Sequence, residues 1–401
     1  MKKVIVLPGT PMQVPLIKKL KERGYYTISF HPIDNFATLP YSDEYSLLDI
    51  SKLDSCLAET NKVKPHAILS DECDIAMPAI AYLSEKMDIP ALSKSDASLY
   101  TDKSLMREFC TQHSIPSPAY CKCKTIEEAK EFYRAINTRC ILKPLNANSS
   151  KGVYVINKEE DIESYWLETM SYSKSSQTLL IEQYVEGTEF TIDGLVTAKG
   201  HISLAISEKR HYEYNPSIAY ELFFSNYNDN FDYDSLRQIN DFYVDSSPLP
   251  VGYLTHAEYK YMNGKFYLIE IAARGGGNYI SSDIVPLMSG VDNYSYMIDA
   301  LVEHQTDQVV CLDEALRDRC AVLYFFDVPY EGVVKDIKGL DILSNNPNIV
   351  RFELHFKVGD TIKRAKNDSA RVGYYIAYAD NKHSLRLLMK EINETLKIIV
   401  E

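Results

Sequence analysis

The decisive stretch is Thr255-His256-Ala257-Glu258-Tyr259-Lys260-Tyr261-Met262-Asn263-Gly264-Lys265-Phe266-Tyr267-Leu268-Ile269-Glu270-Ile271-Ala272-Ala273-Arg274-Gly275-Gly276-Gly277-Asn278. Asn263-Gly264 is a hairpin-turn dipeptide between two runs that favour strands. Residues two apart in a strand share a face, so Glu270, Ala272 and Arg274 point one way. The direction of Glu258 relative to Glu270 depends on the loop. A two-residue turn pairs Met262 with Lys265, sets Glu258 opposite Ile269, and sends the two carboxylates to opposite faces. A three-residue loop with a glycine bulge pairs Glu258 with Glu270 and puts both on one face. Carboxylates placed opposite each other repel. A chain keeps such a pair more readily where cations bridge it, and hard oxygen ligands suit Mg²⁺ completed by water and substrate phosphates. The odd-length loop is therefore the expectation. A solvated acidic hairpin without metal is the alternative.

The glycines follow directly. The chain holds only 16 glycines in 401 residues, and three of them are Gly275, Gly276 and Gly277. Beside a charged strand end, they would let backbone approach a ligand without Cβ obstruction. The net charge is −13, which argues against a nucleic-acid partner and against adhesion to an anionic membrane. No apolar run is long enough for a transmembrane helix. The apolar run at 4–7 stops at Pro8-Gly9, too early for a signal-peptide core, so a cytoplasmic chain is expected. Eight cysteines lack metal-site spacing and read as reduced thiols.

Before the hairpin, short apolar runs alternate with amphipathic ones. Strands are expected at 4–7, 26–30, 47–50 and 66–70, with helices at 51–61 and 75–86. This is the pattern of a parallel sheet with crossover helices, a Rossmann-like α/β unit. It lacks G-x-G-x-x-G, so no dinucleotide site is assigned. Thr101 is the expected cap of a helix over 102–113. A helix at 126–136, strands at 140–143, 153–156 and 179–184, and a helix near 161–170 follow. A hairpin over 190–207 precedes the carboxylate hairpin. From 321 onward short strands dominate, and a helix over 384–398 closes the chain.

Several segments, taken in order, resemble the ATP-grasp superfamily, and within it the carboxylate–amine (L-amino acid) ligase branch. Asp102-Lys103 is similar to a phosphate-contacting lysine at a helix start. Ile141-Leu142-Lys143-Pro144 is similar to the second lysine, on a strand ahead of a phosphate-covering loop. That loop is 146–152 here, with Ser149, Ser150 and Gly152 as donors. Leu180-Ile181-Glu182-Gln183-Tyr184-Val185 resembles the adenine hinge, with main-chain contacts at Gln183 and Val185 and Glu182 near the exocyclic amine. Glu189 matches a ribose ligand. Glu258 and Glu270 match the Mg²⁺ ligands, and Arg274 an arginine beside the transferred phosphoryl group. Tyr324-Phe325-Phe326 and Arg371-Val372-Gly373-Tyr374 resemble the last domain of the same branch. One position departs: many relatives carry asparagine where Ala272 stands.

The resemblance implies an α/β ATP-grasp fold with an N-terminal Rossmann-like domain (1–95). An ATP-grasp domain (96–306, lid about 117–184) and a C-terminal β-rich α+β domain (307–401) complete it. It implies ATP and two Mg²⁺ ions as cofactors, and catalytic roles for Lys143 and Arg274. It also implies small-molecule carboxylate and amine substrates; the oligomeric state is open, with a homodimer the commonest arrangement. Substrate contacts are expected from Lys209 or Arg210, His256, Arg274, Gly275, Gly276, Gly277 and Asn278. Asp71 and Glu72, at a strand end, are weaker candidates for amine recognition. The activity implied is ADP-forming amide or peptide ligation through an acyl phosphate. The alternatives are a biotin-independent carboxylase of the aminoimidazole ribonucleotide type and a catalytically silent ATP-binding regulator.

Overall fold

The computed structural model describes residues 1–145, 151–173, 176–328 and 330–401. The chain opens with four parallel strands: β1 (Lys3–Val6), β2 (Tyr26–His31), β3 (Glu44–Leu47) and β4 (Ala67–Leu69). They lie in the order β3-β2-β1-β4. Helix α1 (Val14–Glu22) connects β1 to β2, α2 (Leu53–Val63) connects β3 to β4, and α3 (Ala76–Met87) follows β4. Leu16, Ile17 and Leu20 are the buried stripe of α1, as the 3.6-residue period requires. The third strand lies at 44–47 rather than at 47–50. Asp43, just before it, fixes its start by accepting a hydrogen bond from the Thr27 N–H at 2.9 Å.

Helices α4 (Lys94–Leu99) and α5 (Lys103–Gln112) lead out of this unit. Asp102, not Thr101, caps α5: its carboxylate accepts from the N–H groups of Ser104 and Leu105. An anionic cap answers the positive helix terminus better than a hydroxyl. The Thr101 hydroxyl instead donates back to the Ala97 carbonyl.

Strands β5 (Tyr120–Cys123), β6 (Cys140–Pro144), β7 (Tyr154–Ile156) and β8 (Leu179–Gln183) form an antiparallel sheet, order β5-β8-β6-β7. Helices α6 (Ile126–Ile136) and α7 (Glu159–Ser171) pack with it. Cys140, Leu142, Ile156, Trp166 and Ile181 belong to a hydrophobic cluster of its own.

The largest sheet has eight strands. It contains β9 (Thr188–Thr197), β10 (Gly200–Tyr212), β11 (Asn215–Ser225), β12 (Leu254–Met262) and β13 (Lys265–Ala272). It continues with β14 (Cys320–Phe325), β16 (Ile349–Leu354) and β18 (Gly373–Ala379), in the order β13-β12-β9-β10-β11-β14-β18-β16. Strand β14 thus extends the sheet of the carboxylate hairpin by pairing with β11. Helix α8 (Tyr233–Asp245) packs on β10. Strands β15 (Gly332–Lys338), β17 (Thr361–Ile362) and β19 (Lys397–Val400) form a small sheet. The closing helix stops at Thr395, and the residues expected to finish it form β19 instead. Their β-branched run, Ile398-Ile399-Val400, favours a strand.

The hairpin corrects the expected loop and keeps the expected pairing. The turn has two residues, since Met262 pairs with Lys265. Asn263 (φ 51°) and Gly264 (φ 81°) both take the left-handed region, as the favoured two-residue turn demands. Further along, Tyr259 pairs with Leu268 but Glu258 pairs with Glu270. Ile269 is therefore an extra, bulged residue. The bulge shifts the register within β13, where an odd-length loop would have shifted it at the turn. Apolar spacing records it: Phe266, Leu268 and Ile271 are all core residues, two apart and then three apart. Without the bulge, Glu270 would share the face of Leu268.

Gly264→Ala tests the turn. Nothing lies within 4 Å of the added Cβ, so only backbone strain acts. Stability is expected to fall by about 1 kcal/mol, read as a lower denaturant midpoint at unchanged slope.

Candidate active site

Glu258 and Glu270 sit opposite each other, and each meets a lysine from another element. Lys103, the first residue of α5, reaches Glu270 at 2.7 Å. Lys209 on β10 reaches Glu258 at 2.6 Å and Glu189 on β9 at 2.8 Å. Sheet order explains the second contact. Lys209 pairs with Glu189 across β10–β9, and Glu189 pairs with Lys260 across β9–β12. His211 stands 3.5 Å from Glu189. Burial pushes the Glu189 carboxyl up, but Lys209, His211 and Lys260 overcome this and hold it well below its ordinary value. Burial opposes the Lys209 charge, and the two glutamates hold it protonated above the ordinary lysine value. Arg210 points to the other face, as alternation along a strand requires. It is half exposed and lies 3.6 Å from Glu221, so of the two expected substrate cations only Lys209 joins the site.

A cleft with about 870 Å³ of open space runs from this pair toward β6 and β8. Lys103, Ile141, Lys143, Glu182, Gln183, Tyr184, Val185, Glu189 and Lys260 line it. Lys143 contacts Glu182 at 2.5 Å, with both side chains buried. Arg107, one turn beyond Lys103 on α5, donates its Nε–H to the same carboxylate at 2.8 Å. Burial pushes Glu182 up, and Arg107 with Lys143 pulls it below its ordinary value. Burial lowers Lys143 to about 8 despite Glu182. The Tyr184 ring lies between the Arg139 guanidinium (4.5 Å from the centroid) and Lys260 (4.9 Å). The Gln183 N–H is donated to the Ala119 carbonyl, so that group is not open to a base. Ser149 and Ser150 lie outside the described residues. Gly152 (φ 69°) packs against Tyr172, whose ring an added Cβ would meet at 2.6 Å.

A second cavity, about 790 Å³, adjoins the first. Lys209, His256, Arg274, Gly277 and Asn278 line it, with Arg371 and Asp368 from the C-terminal segment. Glu189 and Glu258 line both cavities. His256 Nδ1 is 3.0 Å from the buried Asp193. A carboxylate on Nδ1 places the proton there and leaves Nε2 as the basic nitrogen. Arg371 sits over the Phe325 ring at 3.8 Å, contacts Asp368 at 2.5 Å, and donates to the Ala219 carbonyl. Burial lowers its pKa below the ordinary arginine value.

Three expectations are revised here. Arg274 forms a two-pronged bridge to Asp74, at 2.9 and 2.8 Å. Its fork therefore faces an acid of the N-terminal unit. Burial works against the charge, and Asp74 more than offsets this and keeps Arg274 protonated. Asp71 is structural: it accepts from the Gly275 N–H at 2.7 Å and from the Tyr294 hydroxyl at 2.8 Å. Gly275 and Gly276 serve close packing within the protein. A Cβ on Gly275 would meet Ser281 at 2.2 Å, and one on Gly276 would meet Asp193 at 2.6 Å. Only Gly277 has open space around it. Glu72 is among the lining residues of neither cavity, and its carboxylate accepts from the Tyr279 N–H at 3.2 Å. Burial and Asp71 push its pKa well above the ordinary value.

Sequence reading missed Arg107, Asp74, Asp193, His211, Lys260 and Arg371. Three of these carried a signal. Lys260 and His211 share a strand face with Glu258 and Lys209, and Arg107 shares a helix face with Lys103 at i, i+4. Asp74 and Asp193 meet their partners only through the fold, as Arg371 does in reaching Phe325 and the Ala219 carbonyl.

No third His, Cys, Asp or Glu joins Glu258 and Glu270 as a metal cluster among the described residues. Two opposed carboxylates fit Mg²⁺, which usually takes one or two protein carboxylates and completes its shell with water and phosphates.

This layout of a small antiparallel sheet, a cleft and a large sheet bearing paired glutamates is the ATP-grasp fold. Residues 101–214 match the ATP-grasp (A) domain of phosphoribosylglycinamide synthetase, and residues 324–401 match L-amino acid ligase C-terminal domain 2. The chain thus has the ATP-grasp fold, and its matched segments resemble the ATP-grasp superfamily and its L-amino acid ligase branch. The L-amino acid ligase of Bacillus licheniformis superposes with TM-score 0.83 at 17% identity, covering 100% of this chain and 99% of that one. The phosphoribosylglycinamide synthetase of Anaerococcus prevotii gives 0.74 at 18% identity, with full coverage of both chains. The phosphoribosylamine–glycine ligase of Methanocaldococcus jannaschii is 28% identical over 192 residues, 45% of this chain and 43% of the relative. The chain spans about half the length of the curated relatives it matches. No helix among the described residues is long and apolar enough to cross a membrane.

Two predictions follow from this geometry. An anion beside Lys143 favours its protonated form, so nucleotide binding takes up a proton. ADP affinity should therefore weaken as pH rises past about 8, and Lys143→Met should flatten that dependence in titration calorimetry. Gly276→Ala should destabilise the chain by about 1–3 kcal/mol through overpacking, while Gly277→Ala leaves the melting temperature unchanged.

Proposed function

We propose that the protein is an ADP-forming, ATP-dependent carboxylate–amine ligase that makes an amide or peptide bond through an acyl phosphate. The supporting observation is that Glu258 and Glu189 line both cavities. A nucleotide in the first would present its terminal phosphate to an acid in the second. Lys103 and Lys143 would hold phosphate oxygens, Glu182 and the backbone at Val185 the adenine, and Glu189 the ribose. Mg²⁺ on Glu258 and Glu270 would neutralise charge across the outer phosphates. A substrate carboxylate oxygen attacks the γ-phosphorus and the bond to the β-phosphate oxygen breaks, releasing ADP. An amine nitrogen then attacks the acyl carbon, and phosphate leaves with its bonding pair. His256, oriented by Asp193, takes the amine proton on Nε2. Arg274, fixed by Asp74, presents its charge to the cavity where phosphate departs. The resemblance to L-amino acid ligases suggests amino acids for both substrates.

The carboxylase alternative needs a cationic cradle for a ribonucleotide phosphate. Arg371 and Lys209 are the nearest candidates, and carboxylates already contact both. The regulator alternative rests on Ala272 alone, while both glutamates and both lysines are retained.

Phosphate release is measured with ATP and Mg²⁺ across a panel of amino acids, bicarbonate included. Release requiring both a carboxylate and an amine, with an amide product by mass spectrometry, supports the ligase. Release driven by bicarbonate overturns it, and so does nucleotide binding without turnover under every condition. Glu270→Gln is expected to lower turnover by roughly 100-fold or more with the fold intact.

A further inference from the structure

Strand β13 is the edge of its sheet, and on its open side the main-chain groups at the bulge find partners in the segment 107–116. The Leu268 N–H donates to the Pro116 carbonyl at 2.9 Å. The carbonyl of Ile269, the bulged residue, accepts from Arg107 Nη2 at 2.6 Å. Arg107 is fully buried, and its Nε–H is donated to Glu182 at 2.8 Å. One guanidinium therefore ties the bulge to the strand that carries the hinge acid. Four residues earlier on the same helix face, Lys103 holds Glu270 itself at 2.7 Å.

The arrangement is poorly explained by stability alone. Arg107 Nη1 is buried without a partner among the described residues, an arrangement that costs about 1–3 kcal/mol. An apolar side chain of similar volume would avoid that penalty. It could not hold the Ile269 carbonyl, however, and a ladder without the bulge turns Glu270 toward the core. The planar fork matters as well, because Nε and Nη2 address two acceptors at once, which a lysine cannot do with fixed geometry.

We infer that Arg107 is a positioning residue: by holding the Ile269 carbonyl it maintains the bulge that places Glu270 opposite Glu258, and so sets the Mg²⁺ dependence of nucleotide binding. This rests on the ligase reading only in taking the two glutamates as the Mg²⁺ site. Arg107 touches neither metal nor phosphate, and acts through the strand.

The test compares the dissociation constant for ADP with and without Mg²⁺, by titration calorimetry, in the full chain. The ratio of the two constants reports the metal contribution alone. Arg107→Met is expected to reduce that ratio by about tenfold or more, with Arg107→Lys intermediate. Cys110→Ala, buried on the same helix, should lower the melting temperature and leave the ratio unchanged. A folded Arg107→Met or Arg107→Lys protein with the native ratio overturns the inference. A second measurement needs no metal or nucleotide. Cysteines introduced as Glu258→Cys and Glu270→Cys should cross-link on oxidation, since directly opposed strand positions lie within disulfide reach. The 258–270 peptide link, mapped by mass spectrometry, should be lost or strongly reduced when Arg107→Lys or Arg107→Met is added. Equal cross-linking in all backgrounds also overturns the inference. If the native chain binds no ADP but the cross-link depends on Arg107, the functional reading fails while the positioning role stands.

Discussion

The extra residue at Ile269 turns Glu270 away from Leu268 and toward Glu258, and much of the site geometry depends on that turn. Helix α5 supports it from one side through Lys103 and Arg107. The core supports it from the other, because Leu268 and Ile271 can both be buried only if one residue is looped out between them. A slip of one residue in a strand exchanges its faces. Here the exchange is made once, locally, so the turn-proximal half of β13 packs in the core register and the distal half presents an acid to the cleft.

Opposed acids would repel if left alone. The fold answers by placing cations around them. Lys103, Lys209, Lys143 and Arg107 each stand within 2.8 Å of a glutamate. Burying such pairs carries a desolvation penalty that their attraction does not reliably exceed. Under the proposed function their value lies in readiness: a polyphosphate entering the cleft would meet lysines already held in position, and exchange one set of anionic partners for another. This is how a chain of net charge −13 can hold lysines in position among the glutamates of its cleft. The bulk charge is irrelevant at this range, since the contacts are short and shielded from solvent.

Sequence legibility followed the range of the interaction. The helix at 126–136, the two hairpin strands and the lysines 103 and 143 are local patterns, and each appears where the pattern puts it. The pairing of the two glutamates was legible as a requirement, but its means was not. An odd loop and a bulge satisfy the same facing condition, and only the three-residue step from Leu268 to Ile271 distinguishes them. The partner of Arg274 was illegible for a different reason. Asp74 lies 200 residues earlier, in a unit with its own sheet, and no local period connects the two. The triple glycine was misread because two of its members face buried acids, Asp71 and Asp193, whose positions depend on the tertiary fold.

Ala272 takes on meaning in the same frame. It stands opposite His256 across the β12–β13 ladder, and side chains so placed are in contact range. The resemblance led us to expect an amide there. Asp193 already serves both the His256 ring and the Gly276 N–H. Its other oxygen is buried and without a partner among the described residues. At this strand end, then, a small residue stands opposite a histidine whose orientation is set by a buried carboxylate rather than by residue 272.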